Sequence, residues 1–248
     1  MRPLDRARDR VADWLRARPA AYAIAKFVHH RWQVLRSNRQ RAEAIFRVKY
    51  ASNAWRGVES RSGTGSDDDQ TRVLIAELPP LFRRLGVGSL LDIPCGDFHW
   101  MRRMDLTGIR YVGADIVPEV AEANQRFARD GVRFVRLDLV HDRLPRADLV
   151  LVRDCLVHLP YVEALHALRN LCRSGSIYLL TTTFPKRTRN SDTVLGGWRP
   201  LNLELAPFGF PPPAHVINEH CTEGRGAYAD KSLGLWRLTE VEPLVRWA

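Results

Sequence analysis

Four aspartates recur along this chain, each just past a short apolar run: Asp92 after Leu90-Leu91, Asp115 after Tyr111-Val112, Asp138 after Phe134-Val135, and Asp154 after the run at 149–152. Taken singly, an aspartate at such a place caps a helix or stabilises a turn. Four in phase with four runs say more, because the carboxyl ends of parallel strands open onto one crevice of an α/β sheet. A crevice lined by carboxylates repels a pyrophosphate and welcomes a cation or a set of hydroxyl donors. The turn after Asp92, Pro94-Cys95-Gly96, also holds one glycine where a dinucleotide fingerprint needs three. Four residues past Asp154 stands His158, whose imidazole titrates in the range useful for proton transfer. These spacings point to a positively charged ligand with a base nearby.

The elements that must hold these residues follow from the apolar pattern. Residues 89–93 read as a buried strand, the turn at 94–96 follows, and a helix is expected to start at Asp97. A second strand is expected at 109–114, and Pro118 opens a helix to 128, since proline suits a first helical turn. Residues 132–135 read as a third strand. The continuous apolar run at 147–152 suits a central parallel strand. A helix at 161–171 and a fifth strand at 176–181 complete the alternation. Asp67–Asp69 read as the N-cap and first-turn acids of a helix through 84. Residues 216–218 and 233–238 read as an antiparallel pair closing the sheet. Strands alternating with helices in this way predict an α/β fold with a doubly wound, mostly parallel sheet.

In such a crevice S-adenosylmethionine would meet the acids in order. Asp115 would accept both ribose hydroxyls, and Asp138 the adenine amino group, with Leu139 covering the ring. Asp92 and the backbone of Cys95 and Gly96 would face the methionine ammonium. The segments Leu91-Asp-Ile-Pro-Cys-Gly-Asp-Phe98, Val112-Gly-Ala-Asp115-Ile116-Val-Pro118, Leu137-Asp138-Leu139 and Arg153-Asp-Cys-Leu-Val-His158-Leu159 resemble the successive motifs of the class I S-adenosylmethionine-dependent methyltransferases. More narrowly, they resemble a bacterial branch with Trp-x-Gly-x-x-Ser-x-Ser-Gly (here 55–63), Gly-Gly-Trp-Arg-Pro-Leu-Asn (196–202) and Asp-Lys-Ser-Leu-Gly-Leu-Trp (230–236). The resemblance covers residues 45–240. It implies a seven-stranded Rossmann-like sheet with the last strand antiparallel, and it places the cofactor on the four acids. Pro94, Ile116, Arg153, Trp55 and Arg61 join the cofactor contacts expected on this basis. Pro94 and Cys95 stand where the family commonly has glycines.

Methyl transfer from a sulfonium needs alignment and, for a hydroxyl acceptor, a base. His158 is the expected base, with Asp154 orienting it or contacting the acceptor. Past Thr183, residues 184–215 are rich in Pro, Gly and Asn, and an irregular segment this long signals either function or disorder. Its aromatics favour function. Trp198, Arg199 and Asn202 from this segment, with Glu219, His220 and Lys231 beside the last strands, form the expected acceptor site. Aromatic faces beside carboxylates and amides suit a sugar, glycan or other polyhydroxylated small molecule, hence O-methylation. N-methylation of a small molecule or peptide is the alternative, as is a non-catalytic cofactor-binding module. Nucleic-acid methylation is disfavoured, because no Asn/Asp-Pro-Pro-aromatic sequence follows the fourth strand. His99, His141, His158 and His220 lack ligand-like spacing, so no metal is expected. Residues 50–70 allow two readings, a linker or a loop folding over a ligand, and Trp55, Arg56 and Arg61 are unusual residues for a linker.

The 248 residues leave room for one well-buried domain plus an appendage. No apolar run approaches the ~20 residues of a membrane span, and the start of the chain lacks the pattern of a secretory signal. Four isolated cysteines with no C-x-x-C pair suit reduced thiols in the cytoplasm. The net charge of +10 is unevenly spread, with 13 basic and 4 acidic residues among the first 50. We therefore expect a basic helical arm at 1–49 and a methyltransferase domain at 50–248. Leu4, Val11, Trp14 and Leu15 recur at helical spacing, then Val28, Trp32 and Leu35, then Ala42, Ile45 and Phe46. Such an arm suits packing against the body or in a homodimer, or adhesion of residues 1–44 to the anionic inner face of a membrane. Nucleic acid is the weakest candidate partner, since no recognition motif accompanies the arginines.

Overall fold

A computed structural model describes residues 39–246. The helical pattern expected from Leu4 to Leu35 lies outside the described residues, as does most of the stretch given a membrane role. The first described helix, α1 (Arg39–Ala51), bears out the spacing of Ala42, Ile45 and Phe46. The expected boundary at 49/50 falls inside this helix.

Seven strands form one sheet: β1 (Ser89–Asp92), β2 (Arg110–Asp115), β3 (Val132–Arg136), β4 (Leu149–Val152), β5 (Tyr178–Thr183), β6 (His215–Asn218) and β7 (Ser232–Arg237). Their order is β3-β2-β1-β4-β5-β7-β6. All pairs are parallel except those that β7 makes with β5 and β6. The last strand alone therefore runs against the rest, and it inserts between β5 and β6. β4, Leu-Val-Leu-Val, is buried at every position because helices cover both faces, so it holds the centre. The order reverses between β1 and β4. Above that reversal the crossovers part and leave a crevice at the carboxyl ends.

The helices α2 (Asp68–Leu85), α3 (Pro118–Ala123), α4 (Tyr161–Arg173) and α5 (Leu238–Val245) complete the layers. Leu168 and Leu171 of α4 with Val241 of α5 pack on one side of the sheet; Leu74, Leu78 and Phe82 of α2 pack on the other. Three expectations need correction. Asp97 starts no α-helix: turns lead to a single 3-10 turn at Met101–Arg103, because Asp97 is drawn to the 60–62 segment instead. Asp67 precedes α2, but its side chain makes no capping bond. Its carboxylate instead accepts the N–H groups of Val58, Glu59 and Ser60 at 3.0–3.1 Å, a tighter demand than one helix end could make. The helix from Pro118 stops at Ala123 and continues only as a 3-10 turn, Asn124–Phe127.

α1 joins the body through Phe46, which packs on the core, and through the pairs Arg39–Asp142, Glu43–Arg136 and Arg47–Glu119. Among the described residues no helix is long and apolar enough to cross a membrane. Residues 184–214 contain no helix or strand, as expected. Leu151 is wholly buried between β1 and β5. Leu151→Ala is expected to lower unfolding free energy by about 2–5 kcal/mol, read from urea denaturation.

Candidate active site

β1 and β2 deliver the first two acids to adjoining positions. Asp92 is 2% exposed and accepts a 2.7 Å hydrogen bond from the Tyr111 hydroxyl. Burial pushes its carboxyl up to about 7, against the pull of Tyr111 and the Arg153 charge. Asp115 accepts the N–H groups of Val117 (2.9 Å) and Gly96 (3.2 Å), yet burial still pushes it up to about 6. Between them lies the turn at 94–96. The Cys95 N–H donates to Ala114 O at 2.8 Å, tying the turn to β2. Gly96 has φ +53°, its carbonyl accepts Asn124 Nδ2 at 2.7 Å, and a Cβ there would overlap Ser62 Oγ. Pro94 and Ile116 sit half-buried beside the two acids. Past β3, Asp138 accepts the Val140 N–H at 2.8 Å and lies 2.7 Å from His141 Nδ1, while Leu139 is in the core.

The 55–66 segment is docked over these strand ends. Asp97 gathers the Ser60 hydroxyl (2.8 Å), the Arg61 N–H (2.9 Å) and the Ser62 hydroxyl (3.2 Å). Arg153 donates to Gly65 O at 2.6 Å. A Cβ at Gly65 would lie 3.1 Å from Lys231 Nζ and 3.2 Å from Asp154 Oδ2. Trp55 stacks on Phe46 with ring centroids 6.5 Å apart and faces the His158 ring at 5.7 Å. Arg61 donates to Ala51 O and lies over the Tyr50 ring. Burial and the Asp97 charge raise the Tyr50 hydroxyl.

Asp154 follows β4 with φ +49°, a left-handed backbone conformation uncommon for a non-glycine residue though more accessible to aspartate than to most. Its N–H donates to Thr182 Oγ1 at 2.8 Å, and Lys231 Nζ donates to its carboxylate at 2.6 Å. Burial alone would raise Asp154, but Lys231 and Arg153 hold it down to about 2. Arg153 in turn donates from Nε and Nη2 to Glu219 at 3.2 and 2.7 Å, and Lys231 lies 3.4 Å from the same carboxylate. Lys231 stays raised because Asp154 and Glu219 overcome the effect of burial and of Arg153. One turn on, His158 Nδ1 lies 2.6 Å from Gly197 O. A carbonyl only accepts, so Nδ1 carries the proton and Nε2 a lone pair. Burial lowers His158 below the usual imidazole value, against that hydrogen bond and the Asp154 charge.

The structure separates the six acceptor candidates. Trp198, next to Gly197, is exposed and meets Tyr228 at 4.7 Å, with Phe184 beneath both. Arg199 and Asn202 are instead braces of the irregular segment. Arg199 donates to Leu156 O, Leu159 O and Ser191 O, and Asn202 to Pro185 O and Arg187 O. Glu219 and Lys231 are committed to the ion network. His220 is exposed, with its N–H on Asn218 Oδ1. Asp97, Tyr111 and Tyr228 escaped the sequence reading, although Asp97 lies in the quoted 91–98 segment. Glu59, Asp68 and His99 bring ligand-type atoms within 4.8 Å of one another, but Arg103 already pairs with Asp68.

The raised acids set a pH dependence. Asp92 and Asp115 hold protons up to about 7 and 6 when folded, against 3.8 for an ordinary aspartate. Between about pH 4 and 7 the folded state therefore keeps protons that the unfolded chain has lost, and their contribution to stability falls as pH rises. Asp92→Asn is expected to melt above the unliganded parent at pH 8 and to converge with it near pH 4; equal melting at pH 8 would contradict a strained acid.

Residues 91–180, the span from β1 into β5, match the family described as a methyltransferase domain. No curated protein matches the chain. Two of the solved structures that share the fold illustrate the likeness. Human N-acetylserotonin methyltransferase, in complex with S-adenosylmethionine, aligns at 18% identity with a TM-score of 0.54, over 79% of this chain and 59% of that one. This chain thus spans 59% of the human protein's length. The 1,6-didemethyltoxoflavin-N1-methyltransferase of Burkholderia thailandensis, with 1,6-didemethyltoxoflavin and S-adenosylhomocysteine bound, aligns at 19% identity with a TM-score of 0.58, over 81% and 90%. At these identities the likeness is one of fold. The family match falls on the strands whose ends carry the acids: residues 91–180 are similar to a methyltransferase domain, and the body has the fold of these two methyltransferases.

Proposed function

We propose that the protein methylates a hydroxyl oxygen of a small polyhydroxylated acceptor, a sugar or glycan, with His158 as general base. The observation that carries this reading is the bond from His158 Nδ1 to Gly197 O. It fixes the tautomer so that a neutral imidazole offers Nε2 at physiological pH, the state a base requires. Beside it Asp154, held ionised by Lys231, favours the imidazolium that forms when Nε2 takes the hydroxyl proton. The Trp198–Tyr228 corner offers aromatic faces on which the apolar side of a sugar ring packs.

The donor set fits S-adenosylmethionine. Asp92 is a buried acid that accepts a hydrogen bond from Tyr111, and a neighbouring cation would restore its charge. Asp115 retains acceptor capacity for ribose hydroxyls beyond its two backbone bonds. When bound, the cofactor supplies an electrophilic methyl group on a sulfonium. The chain's part is to hold its two ends, exclude water beneath the 55–66 segment, and accept the proton at His158.

His158→Ala is expected to lower kcat by about 10²–10⁴-fold with cofactor affinity intact, read by turnover and calorimetry. Unchanged turnover, or a product methylated on nitrogen, overturns the hydroxyl reading. Asp115→Ala is expected to weaken S-adenosylhomocysteine binding at least about tenfold, by loss of a charge-assisted hydrogen-bond acceptor.

A further inference from the structure

The opposite end of the sheet, at the amino ends of β1–β3, holds a cleft of about 460 Å³ lined by Arg110, Arg129, Arg133 and Arg146. Its floor, on the face that Leu91 shares with Val112, includes Leu91, Val112 and Ala147. Register puts two of the arginines on one face. Arg133 pairs with Val112, and Arg110 lies two residues before Val112, so the two are diagonal neighbours across β2 and β3. Two like charges held this close raise the local positive potential.

Little within the protein neutralises that charge. Among the described residues none of the four arginines makes an ion pair, and the bond shown for Arg129 goes to the Phe127 carbonyl at 3.3 Å. Two acids are near. Asp130 lines the cleft, and Asp148 feels the Arg110 charge but has its Oδ2 on the Gly88 N–H and the Ser89 hydroxyl. Other exposed arginines, Arg72 and Arg84 among them, likewise make no ion pair among the described residues; what distinguishes these four is that they line one cleft. The excess of positive charge is therefore a property of this cleft.

We propose that the cleft is a second binding site, for a small anion carrying two or more phosphoryl groups. Guanidinium forks match phosphate oxygens two at a time, which a point charge does not. The volume lies within the range of small-molecule sites, and the apolar floor can cover the ligand's uncharged part. The charges line an inset cleft instead of running as a stripe along a helix, which favours a small molecule over a nucleic acid. The site is independent of the methyl-acceptor reading, because it lies at the other end of the strands.

The test is calorimetry on the full-length protein with tripolyphosphate, at fixed ionic strength and against sulfate. The parent is expected to bind tripolyphosphate in preference to sulfate. Arg133→Gln/Arg146→Gln is expected to bind it at least about tenfold more weakly, a loss of roughly 1.4 kcal/mol. Arg110→Gln is expected to weaken it in the same direction. S-adenosylhomocysteine binding, unchanged in each variant, reports an intact fold. Equal binding of tripolyphosphate by parent and both variants overturns the site, as does binding no stronger than that of sulfate. A 20-nucleotide RNA bound through these arginines, with tripolyphosphate ignored, overturns the small-molecule assignment.

Discussion

The buried guanidinium of Arg153 constrains the crevice more than any other group. Taking such a charge out of water costs several kcal/mol unless its partners are complete. Glu219 supplies two bonds, the Gly65 carbonyl a third, and Lys231 with Asp154 balances the remaining charge. Two cations face two carboxylates, and they come from the end of β4, the end of β6 and the start of β7, with the 55–66 segment closing above. Those parts of the chain must meet at one point for the charges to cancel. The positive φ of Asp154 is held by this convergence, since its carboxylate and its N–H are both committed.

The same crevice keeps its acids in opposite states. On the β1–β2 side, burial without a paired cation raises Asp92 and Asp115; on the β4 side, Lys231 and Arg153 lower Asp154. Environments that push like groups apart are how a site divides its labour. The raised acids are costly to ionise in the fold, because burial opposes their charge. The lowered acid stays ionised without any ligand, and its charge acts on His158.

Sequence displayed the frame because its signals are local. Apolar runs of strand length placed β1 to β5 within a few residues, and the acids that follow the first four were then aligned by the register. Local reasoning failed where distant partners decide. Nothing near Arg153 foretells Glu219, 66 positions on, or near Asp154 foretells Lys231, 77 positions on. Arg199 and Asn202 looked like ligand-binding residues because a loop arginine or asparagine does not announce whether it turns outward. Here a helix-free segment of some thirty residues needs internal donors for its own carbonyls, and these two supply them. Asp67 failed as a cap for a similar reason: three loop N–H groups outbid one helix end.

Closure over the crevice follows from where the 55–66 segment is fastened. Its two anchors, Asp97 and Arg153, sit just past β1 and β4, the strands on either side of the reversal in sheet order. Charge-assisted bonds of this kind are the stronger class, whereas the three surface pairs holding α1, two of them exposed and Arg39–Asp142 part-buried, contribute little each. α1 is therefore held chiefly by Phe46 and its stack on Trp55, which itself meets His158. A ligand entering between β1 and β4 must pass beneath a segment tied at both sides. The aromatic contact from α1 through Trp55 to His158 links the state of that segment to the position of the His158 ring.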